Sequence, residues 1–243
     1  MSRVLIIGAG SAIAEAVARI YAARGASLFL VGRDPQRLAA IAADLEVRGA
    51  ADAAVHALDA NAYAEHAAML EAAWARLGAV DLALIAHGSL PDQQACEASA
   101  ALTLDAFSTN GLSAIALAAA IAPRLAPGAT LAAISSVAGD RGRASNYVYG
   151  SAKAAVSAFF SGLRQRLGAQ GVNVLTIKPG FVDTPMTQAF KKGALWATPE
   201  AVARGIVRAV DRRRGVAYLP GFWWAIMQVI KAIPEPVFRR LKL

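Results

Sequence analysis

Residues 4–14 read VLIIGAGSAIA, and this stretch carries the strongest fold signal of the chain. A continuous apolar run leads at once into a turn with two glycines, and then into an alanine-rich segment of helical period. Strands that are covered by helices on both faces of a parallel sheet have this continuous apolar character. The stretch therefore predicts a strand, a tight turn and a helix, which is the unit of α/β sheets.

The same unit repeats, because short apolar runs alternate with alanine-rich helical segments. The runs predict strands at residues 3–7, 27–32, 54–58, 80–86, 129–135, 172–177 and 216–219. Helical connections between them favour a parallel sheet of about seven strands with helices on both faces. No linker or fixed-period repeat interrupts the pattern. We therefore expect one doubly wound α/β domain over residues 1–220 and a C-terminal tail with an amphipathic helix over residues 221–243.

The composition is typical of a folded chain with a large core. Of 243 residues, 56% are hydrophobic and 17% are charged, which excludes a disordered protein. The apolar runs at residues 111–122 and 223–230 fall short of the roughly 18–20 residues of a membrane span, so no spanning helix is expected. The chain start lacks the features of a secretory signal, and Cys96 is the single cysteine. We therefore expect a cytoplasmic protein without disulfides.

The net charge of +8 comes from the C-terminal part of the chain. Residues 1–190 hold 14 basic and 14 acidic side chains, whereas residues 191–243 hold 11 basic and 3 acidic ones. A neutral main body offers no broad basic surface for a phosphate backbone, so nucleic-acid binding is not expected. No cluster of metal-ligating residues is predicted either.

The turn after the first predicted strand is a candidate dinucleotide site. In open α/β sheets, the diphosphate binds N–H groups at the N-terminus of the first helix. Gly8, Gly10, Ser11 and Ile13 would provide this contact. Ile13 stands where the G-x-G-x-x-G fingerprint has its third glycine. From the turn alone, a purely structural connection between strand and helix is an equal alternative.

The end of the second predicted strand favours NADP(H) over NAD(H). An acid at this point suits the ribose of NAD, whereas an arginine suits the 2′-phosphate of NADP. Arg33 stands here and would meet that phosphate, the alternative being a merely exposed arginine. Asp34 followed by Pro35 has the pattern of a helix N-cap. Asp59, at the end of the third predicted strand, would either accept a hydrogen bond from the adenine amino group or form a turn.

Three residues further along the chain form a candidate catalytic group. On a helix, Tyr149 and Lys153 are four residues apart and project from the same face. A lysine ammonium near the phenol is expected to lower the pKa of the tyrosine toward the working pH, which makes it a usable acid or base. Ser136 follows the fifth predicted strand, at the sheet edge where these folds bind ligands. Its hydroxyl would hold a substrate carbonyl oxygen beside the tyrosine.

These motifs, with the glycine-bearing turn and the strand–helix alternation, resemble those of the short-chain dehydrogenase/reductase family over about residues 3–220. The resemblance implies a Rossmann-type fold and NAD(P)-dependent hydride transfer between nicotinamide and a carbonyl or alcohol. In that family's pattern, the residue at Ser136 orients the carbonyl and the one at Tyr149 exchanges the proton. The residue at Lys153 also binds the nicotinamide ribose, and the one at Asn110 anchors a water-linked proton relay.

Residues 178–186, KPGFVDTPM, are similar to a second segment of that family, P-G-x-V-x-T. The resemblance implies that Pro179, Gly180, Val182 and Thr184 contact the carboxamide and phosphates of the cofactor. Family members often form dimers or tetramers through the helices that carry the residues at Asn110 and Tyr149. A homodimer or homotetramer is therefore expected.

The departures from the family pattern lie in the cofactor half. The pattern T-G-x-x-x-G-x-G appears as residues 7–14, with Ala12 and Ala14 in place of two glycines. Methyl groups are tolerable there if the backbone keeps a negative φ. The pattern N-N-A-G appears as residues 85–88, where the amide side chains are missing and His87 is present. A structural role for His87 is favoured over a catalytic one.

The C-terminal tail adds an aromatic and basic segment. Trp223, Ile226, Met227 and Ile230 share a helical face, and basic residues follow at 239–242. Such a helix suits peripheral contact with anionic lipids, and it equally suits a core or subunit-interface helix. The tail and the turn at residues 8–14 also resemble the branch with decaprenyl-phosphoryl 2-keto-ribose reductases. That resemblance implies a lipid-linked ketosugar substrate at the inner membrane surface.

The loop after Met186 holds Lys191 and Lys192, which would meet the phosphate of such a substrate or would simply be solvated. The main functional hypothesis is an NADP(H)-dependent oxidoreductase acting on a small-molecule or lipid-linked carbonyl or alcohol. The alternative is a non-catalytic dinucleotide-binding or redox-sensing protein, which the altered glycines make conceivable.

Overall fold

The computed structural model describes residues 2–241. Its strands are β1 (Arg3–Ile7), β2 (Ser27–Gly32), β3 (Asp52–Ala57), β4 (Leu82–Ile85), β5 (Thr130–Ile134), β6 (Asn173–Pro179) and β7 (Val216–Leu219). Its helices are α1 (Ala12–Ala22), α2 (Pro35–Val47), α3 (His66–Leu77), α4 (Gln93–Ala98), α5 (Ala100–Phe107), α6 (Ser113–Ile121), α7 (Tyr147–Gly168), α8 (Pro199–Asp211), α9 (Phe222–Ala232) and α10 (Glu235–Phe238).

The strands form one seven-stranded parallel sheet in the order β3-β2-β1-β4-β5-β6-β7. The chain runs outward from β1 to β3 and then crosses back to β4, so the topology reverses between β1 and β4. The predicted doubly wound parallel sheet of about seven strands is therefore confirmed. The predicted strand bounds are shifted by a few residues, most clearly at β3, which begins at Asp52, and at β6, which ends at Pro179.

Each face of the sheet has its own hydrophobic core, because successive side chains of a strand point to opposite faces. In β1, Val4 and Ile6 pack into the core formed with α1, α2 and α8. Leu5 and Ile7 pack into the opposite core, formed with α3, α6 and α7. All four are buried. This two-sided burial explains why the strands read as continuous apolar runs.

A continuous helical stretch from Ala100 to Arg124 includes α5, a π-helical turn at Ser108–Leu112 and α6. With 25 residues and a mean hydropathy of 1.4 over its most apolar window, it is long and apolar enough to cross a membrane. In the structure 44% of that window is buried, and α6 packs against α3, α7 and the sheet. The apolar helix is therefore longer than the sequence analysis expected, but its packing is that of a core helix, and the expectation that no helix spans a membrane stays a prediction.

The tail helix α9 packs on the body of the protein. Trp223 and Met227 are buried against Val137, and Ile226 and Ile230 are partly buried in the same cluster. The face that the sequence singled out for lipid contact is therefore a core face. The basic residues at 239–241 follow α10, and Lys242 lies outside the described residues.

Candidate active site

A cavity of about 740 Å³ lies at the carboxyl ends of the strands, around the reversal of topology between β1 and β4. Open α/β sheets bind their ligands at this point. All of the predicted site residues line it, namely Gly8, Gly10, Ser11, Ile13, Arg33, Asp59, Asn110, Ser136, Tyr149, Lys153, Pro179, Gly180, Val182 and Thr184. The fold thus brings them together, while the roles assigned to them remain predictions.

The turn after β1 leaves room for a ligand at the start of α1. Gly8 has φ +85°, and a Cβ there would lie 2.4 Å from the backbone nitrogen of His87, so no other residue fits without a shift. Ser11 precedes α1, and its side chain makes no capping hydrogen bond within the described residues. The first N–H groups of this helix are thus available to an anion such as a diphosphate.

The two alanines that replace family glycines are compatible with this turn. Ala12 and Ala14 both lie in α1, and Arg213 is the non-glycine residue with positive φ in the described chain. Ala14 is fully buried in the core beneath the turn. The methyl groups therefore cause no backbone strain, because both residues keep the negative φ under which an alanine is tolerated in this turn.

The end of β2 presents two arginines to the cavity. Asp34 caps α2, because its Oδ1 accepts hydrogen bonds of 3.0 Å from the N–H groups of Gln36 and Arg37. The N-cap interpretation of Asp34 is therefore confirmed. Arg33 and Arg37 are exposed and line the same part of the cavity, where they can meet a phosphate. The guanidinium of Arg37 lies beside Gly10.

Asp59 and His87 both have structural contacts at the cavity. Asp59 accepts a 2.9 Å hydrogen bond from the backbone N–H of Asn61, so it does form a turn while it lines the cavity. His87 Nε2 lies 2.8 Å from Ser113 Oγ, whose hydroxyl donates to the carbonyl of Thr109. This chain of bonds is consistent with an Nε2-protonated histidine in a structural role.

Asn110 lies in the π-helical turn between α5 and α6 and is fully buried. Its amide donates to the carbonyl of Ala106 at 3.0 Å and accepts from the backbone N–H of Ser89 at 3.0 Å. A π-helical turn inside a helix is frequent at functional sites, because it redirects one residue out of the regular ladder. Here it directs Asn110 toward Gly88 and Lys153.

Lys153 and Tyr149 lie on α7 as the spacing predicts, and both face the cavity. Lys153 is 4% exposed, and its Nζ donates a 3.0 Å hydrogen bond to the carbonyl of Ile134 at the end of β5. The same Nζ lies 5.7 Å from the centroid of the Tyr149 ring. Ser136, just beyond β5, accepts a hydrogen bond from the N–H of Ala138 at 3.1 Å, which orients its hydroxyl.

Burial is the main influence on the pKa values of Tyr149 and Lys153. Loss of solvent raises the pKa of the Tyr149 phenol to about 12, and a hydrogen bond with Ser136 acts in the opposite direction. Burial also lowers the pKa of Lys153 to about 8. The expectation of a lowered tyrosine pKa is thus wrong for the protein alone, because desolvation outweighs the hydrogen bond with Ser136. Tyr149 is protonated at neutral pH.

The segment after β6 forms the far wall of the cavity. Gly180 donates a 3.1 Å hydrogen bond to the carbonyl of Leu219 and lies directly against Trp223, since a Cβ on it would be 2.0 Å from the indole ring. Phe181 stacks on Trp196 with 5.4 Å between ring centroids. Thr184 begins a short helical turn. The tail helix therefore supports the wall from behind.

The loop after β5 is held to the sheet by a buried carboxylate. The side chain of Asp140 is 3% exposed, pairs with Lys178 of β6 and accepts a 2.6 Å hydrogen bond from the Tyr218 hydroxyl of β7. In this environment the pKa of Tyr218 is raised by burial and by Asp140. The start of the loop therefore has a fixed position relative to Ser136.

Some cavity residues escaped the sequence analysis. Arg37 lies in the first turn of α2, just after the predicted N-cap Asp34, and this position beside Arg33 could have revealed it. Arg143, Asn146 and Trp196 lie in loops, where no periodic pattern marks them. Of the two lysines at 191–192, Lys192 pairs with Asp183 and both are exposed.

Comparisons with known proteins agree with this geometry. The family model described as short chain dehydrogenase matches residues 2–194. An uncharacterized oxidoreductase of Mycobacterium tuberculosis is 36% identical over 240 residues, covering 98% of this chain and 96% of the relative. The chain therefore belongs to the short-chain dehydrogenase family and is an oxidoreductase of that type.

Solved structures show the same fold at lower identity. A short chain dehydrogenase from Burkholderia cenocepacia, solved in complex with NADP, has a TM-score of 0.81 at 21% identity and covers 90% of this chain and 96% of its own. A dehydrogenase/reductase from Sinorhizobium meliloti has a TM-score of 0.83 at 19% identity, covering 90% and 94%. The Rossmann-type architecture is thereby confirmed.

Proposed function

We propose that this protein is an NADP(H)-dependent oxidoreductase that interconverts a carbonyl and an alcohol. The observation that carries the proposal is the meeting of Ser136, Tyr149, Lys153 and Asn110 in one cavity with the open N-terminus of α1. A non-catalytic dinucleotide sensor has no need of this group. The alternative of a redox-sensing protein is therefore disfavoured.

Each of the four residues has its own role in the reduction of a carbonyl. When bound, the nicotinamide of NADPH supplies the hydride. Ser136 donates a hydrogen bond to the carbonyl oxygen, and Tyr149 gives that oxygen a proton, for which its raised pKa keeps it ready. The ammonium of Lys153 stabilises the phenolate that remains. Asn110 anchors the proton relay, and its backbone bonds hold its amide in place.

The residues present fit a 2′-phosphorylated cofactor. Arg33 and Arg37 supply two cations at the end of β2, and neither forms an ion pair within the described residues. Asp34, the acid next to Arg33 in the chain, is engaged in capping α2. The NADP complex of the Burkholderia relative is in line with this preference. Gly8, Ser11 and Ile13 would hold the diphosphate.

The test is a fluorescence titration with NADPH and NADH, together with NADPH oxidation assays on a panel of ketones. We expect NADPH to bind more tightly than NADH, and Arg33→Ala to weaken NADPH binding about tenfold or more while leaving NADH binding unchanged. Tyr149→Phe should abolish turnover and leave NADPH binding intact. An active Tyr149→Phe enzyme, or a protein that binds neither nucleotide, would contradict the proposal.

The finer substrate assignment is a lipid-linked ketosugar, with peripheral membrane contact through residues 221–243. Its support is the second apolar face of α9, where Phe222 and Val229 are exposed, together with the basic residues that follow at 239–240.

The expected homodimer or homotetramer remains a prediction. Light scattering after size-exclusion chromatography measures the number of subunits.

A further inference from the structure

The loop between β5 and α7 contains two arginines with opposite environments. Arg141 has its donors engaged, with hydrogen bonds to the carbonyls of Ile230 and Ile233 at 2.7 and 2.5 Å and to Glu235 at 2.8 Å. Arg143 lines the cavity, and its Nε is buried without a hydrogen-bond partner. Arg141 thus has a structural role, whereas Arg143 faces the cavity with a buried donor unused.

A buried unpartnered donor on a cationic side chain has a free-energy cost that proteins ordinarily avoid. No carboxylate of the described residues forms an ion pair with Arg143. Burial lowers its pKa, with no acidic partner acting against that shift. The position therefore favours an anion from outside the chain.

The surroundings of Arg143 are those of a substrate compartment. Asn146, three residues further on, lines the same cavity, and its Oδ1 is also buried without a partner. Helix α7 begins at Tyr147, so the positive end of its dipole lies beside both side chains. Arg33 and Arg37 stand at the other end of the cavity, after β2, which separates the two cationic regions.

We infer that Arg143 binds an oxyanion of the substrate, so that the enzyme acts on carbonyl compounds that bear a carboxylate or a phosphate. The inference rests on the proposed function, because it places the anion in the same cavity as Tyr149 and Ser136. The guanidinium fork binds either oxyanion through paired N–H groups. Asn146 accepts a hydrogen bond from a hydroxyl of the same substrate. The apolar wall of Phe181, Phe190 and Trp196 contacts the remainder of the molecule.

The first test is chemical labelling of the wild-type protein with phenylglyoxal, an arginine reagent, followed by peptide mass spectrometry. Saturating NADP⁺ covers Arg33 and Arg37, so the Arg143 peptide reports on the substrate compartment. We expect inorganic phosphate or benzoate to slow labelling of Arg143 about threefold or more relative to sodium chloride of equal ionic strength. Labelling of the exposed Arg166 on α7 serves as the control and should not change.

Protection by phosphate alone identifies phosphorylated substrates, and protection by benzoate alone identifies carboxylic acids; either supports the inference. Protection by neither, or equal protection of Arg166, overturns it. The labelling requires no turnover, so it stands even where the NADPH oxidation assays fail. Conversely, an active enzyme without protection at Arg143 leaves the proposed function intact and removes only this inference.

The second test is kinetic and compares levulinate with methyl levulinate, and dihydroxyacetone phosphate with dihydroxyacetone. Arg143→Gln should raise KM for the charged member of a pair about tenfold or more, and for the neutral member less than about twofold. Arg143→Lys, which keeps the charge and loses the fork, should fall between the two. Arg166→Gln is the matched control. Equal loss for charged and neutral members would contradict the inference.

Discussion

His87 is a buried histidine on the wall of the cavity. Burial, followed by the positive charge of Lys153, lowers its pKa from 6.5 to about 3. Its Nε2 proton is engaged with Ser113, and its Nδ1 is buried without a partner. The imidazole therefore remains neutral at any pH at which the folded protein works, so it is no acid catalyst near neutrality.

This neutral state makes the stability of the fold depend on pH. Between pH 6.5 and about 3, the unfolded chain binds a proton at His87 that the folded chain does not bind. The stability that the neutral His87 gives the fold is therefore fully present above pH 6.5, and the free energy of unfolding decreases as the pH falls from 6.5 toward 3. His87→Gln, which cannot be protonated, should remove up to about 1.4 kcal/mol of this loss for each pH unit. Thermal unfolding from pH 8 to pH 4 measures the effect.

The expected result is a Tm of the wild type that falls more steeply below pH 6.5 than that of His87→Gln, by about 2–4 °C for each kcal/mol. His56→Gln, in β3, is the control for loss of a histidine outside the cavity. Parallel Tm curves for wild type and His87→Gln would show that His87 is protonated in the fold and would refute the assigned environment.

At the residue scale, the sequence predicts what depends on local spacing. Asp34 before Pro35 correctly predicts the N-cap of α2, and the four-residue spacing of Tyr149 and Lys153 correctly predicts a shared helix face. The pKa of Tyr149 was predicted in the wrong direction, because burial depends on the walls of the cavity and not on local sequence. The buried position of Arg143 could not be predicted for the same reason, because its environment comes from segments far apart in the chain.

At the element scale, Arg141 holds the loop between β5 and α7 to the tail, in addition to the packing of Val137 against α9. Besides its hydrogen bonds to the end of α9 and to Glu235, Arg141 lies 3.6 Å from the centroid of the Phe238 ring in α10. The guanidinium thus connects the loop between β5 and α7 to both tail helices.

Arg141→Ala should therefore loosen α9 and α10 without unfolding the sheet. Loss of several hydrogen bonds to a charged group should lower the free energy of unfolding by about 1–3 kcal/mol. Each kcal/mol corresponds to a Tm decrease of about 2–4 °C. Limited trypsin digestion followed by mass spectrometry should show faster cleavage after Lys231 and Arg239 in the variant. Because Trp223 supports Gly180, NADPH binding should weaken as well.

Arg24→Ala is the matched control for this experiment. Arg24 pairs with Asp211 at 3.2 Å, and both side chains are about half exposed, so the pair contributes about 0–1 kcal/mol. Its removal should leave tail cleavage at the wild-type rate. A tail in Arg141→Ala that resists trypsin as the wild-type tail does would show that α9 is held by its apolar face alone.

The elements themselves are well predicted because their signals are local. Continuous apolar runs locate the strands to within a few residues, and the two-sided cores of the sheet explain why. The contacts of Arg141 with the tail could not be predicted, since Arg141 and its hydrogen-bond partners are 89 to 94 residues apart in the chain. The π-helical turn at Asn110 is equally hidden, because the helical period of residues 100–124 continues through it.

At the scale of the whole molecule, α9 is apolar on both sides. Its inner face packs against Val137, whereas Phe222, Ala225, Val229 and Ala232 form an exposed stripe at helical spacing. A helix that is apolar all round is usually covered on both sides. The charge excess of the chain lies in the same C-terminal part. Together these features favour contact with an anionic lipid surface.

We expect the protein to co-sediment with phosphatidylglycerol vesicles and much less with phosphatidylcholine vesicles, since a basic tail meets anionic lipids through a salt-sensitive attraction. Phe222→Ser combined with Val229→Ser should weaken this binding about threefold or more, because the two side chains are 44% and 67% exposed. Leu104→Ser, 69% exposed on α5, is the control for loss of an apolar side chain elsewhere. If the tail variant binds vesicles as the wild type does, or if the wild type binds neither vesicle, the stripe is covered by another subunit. In that case the same substitutions should lower the oligomeric state in light scattering.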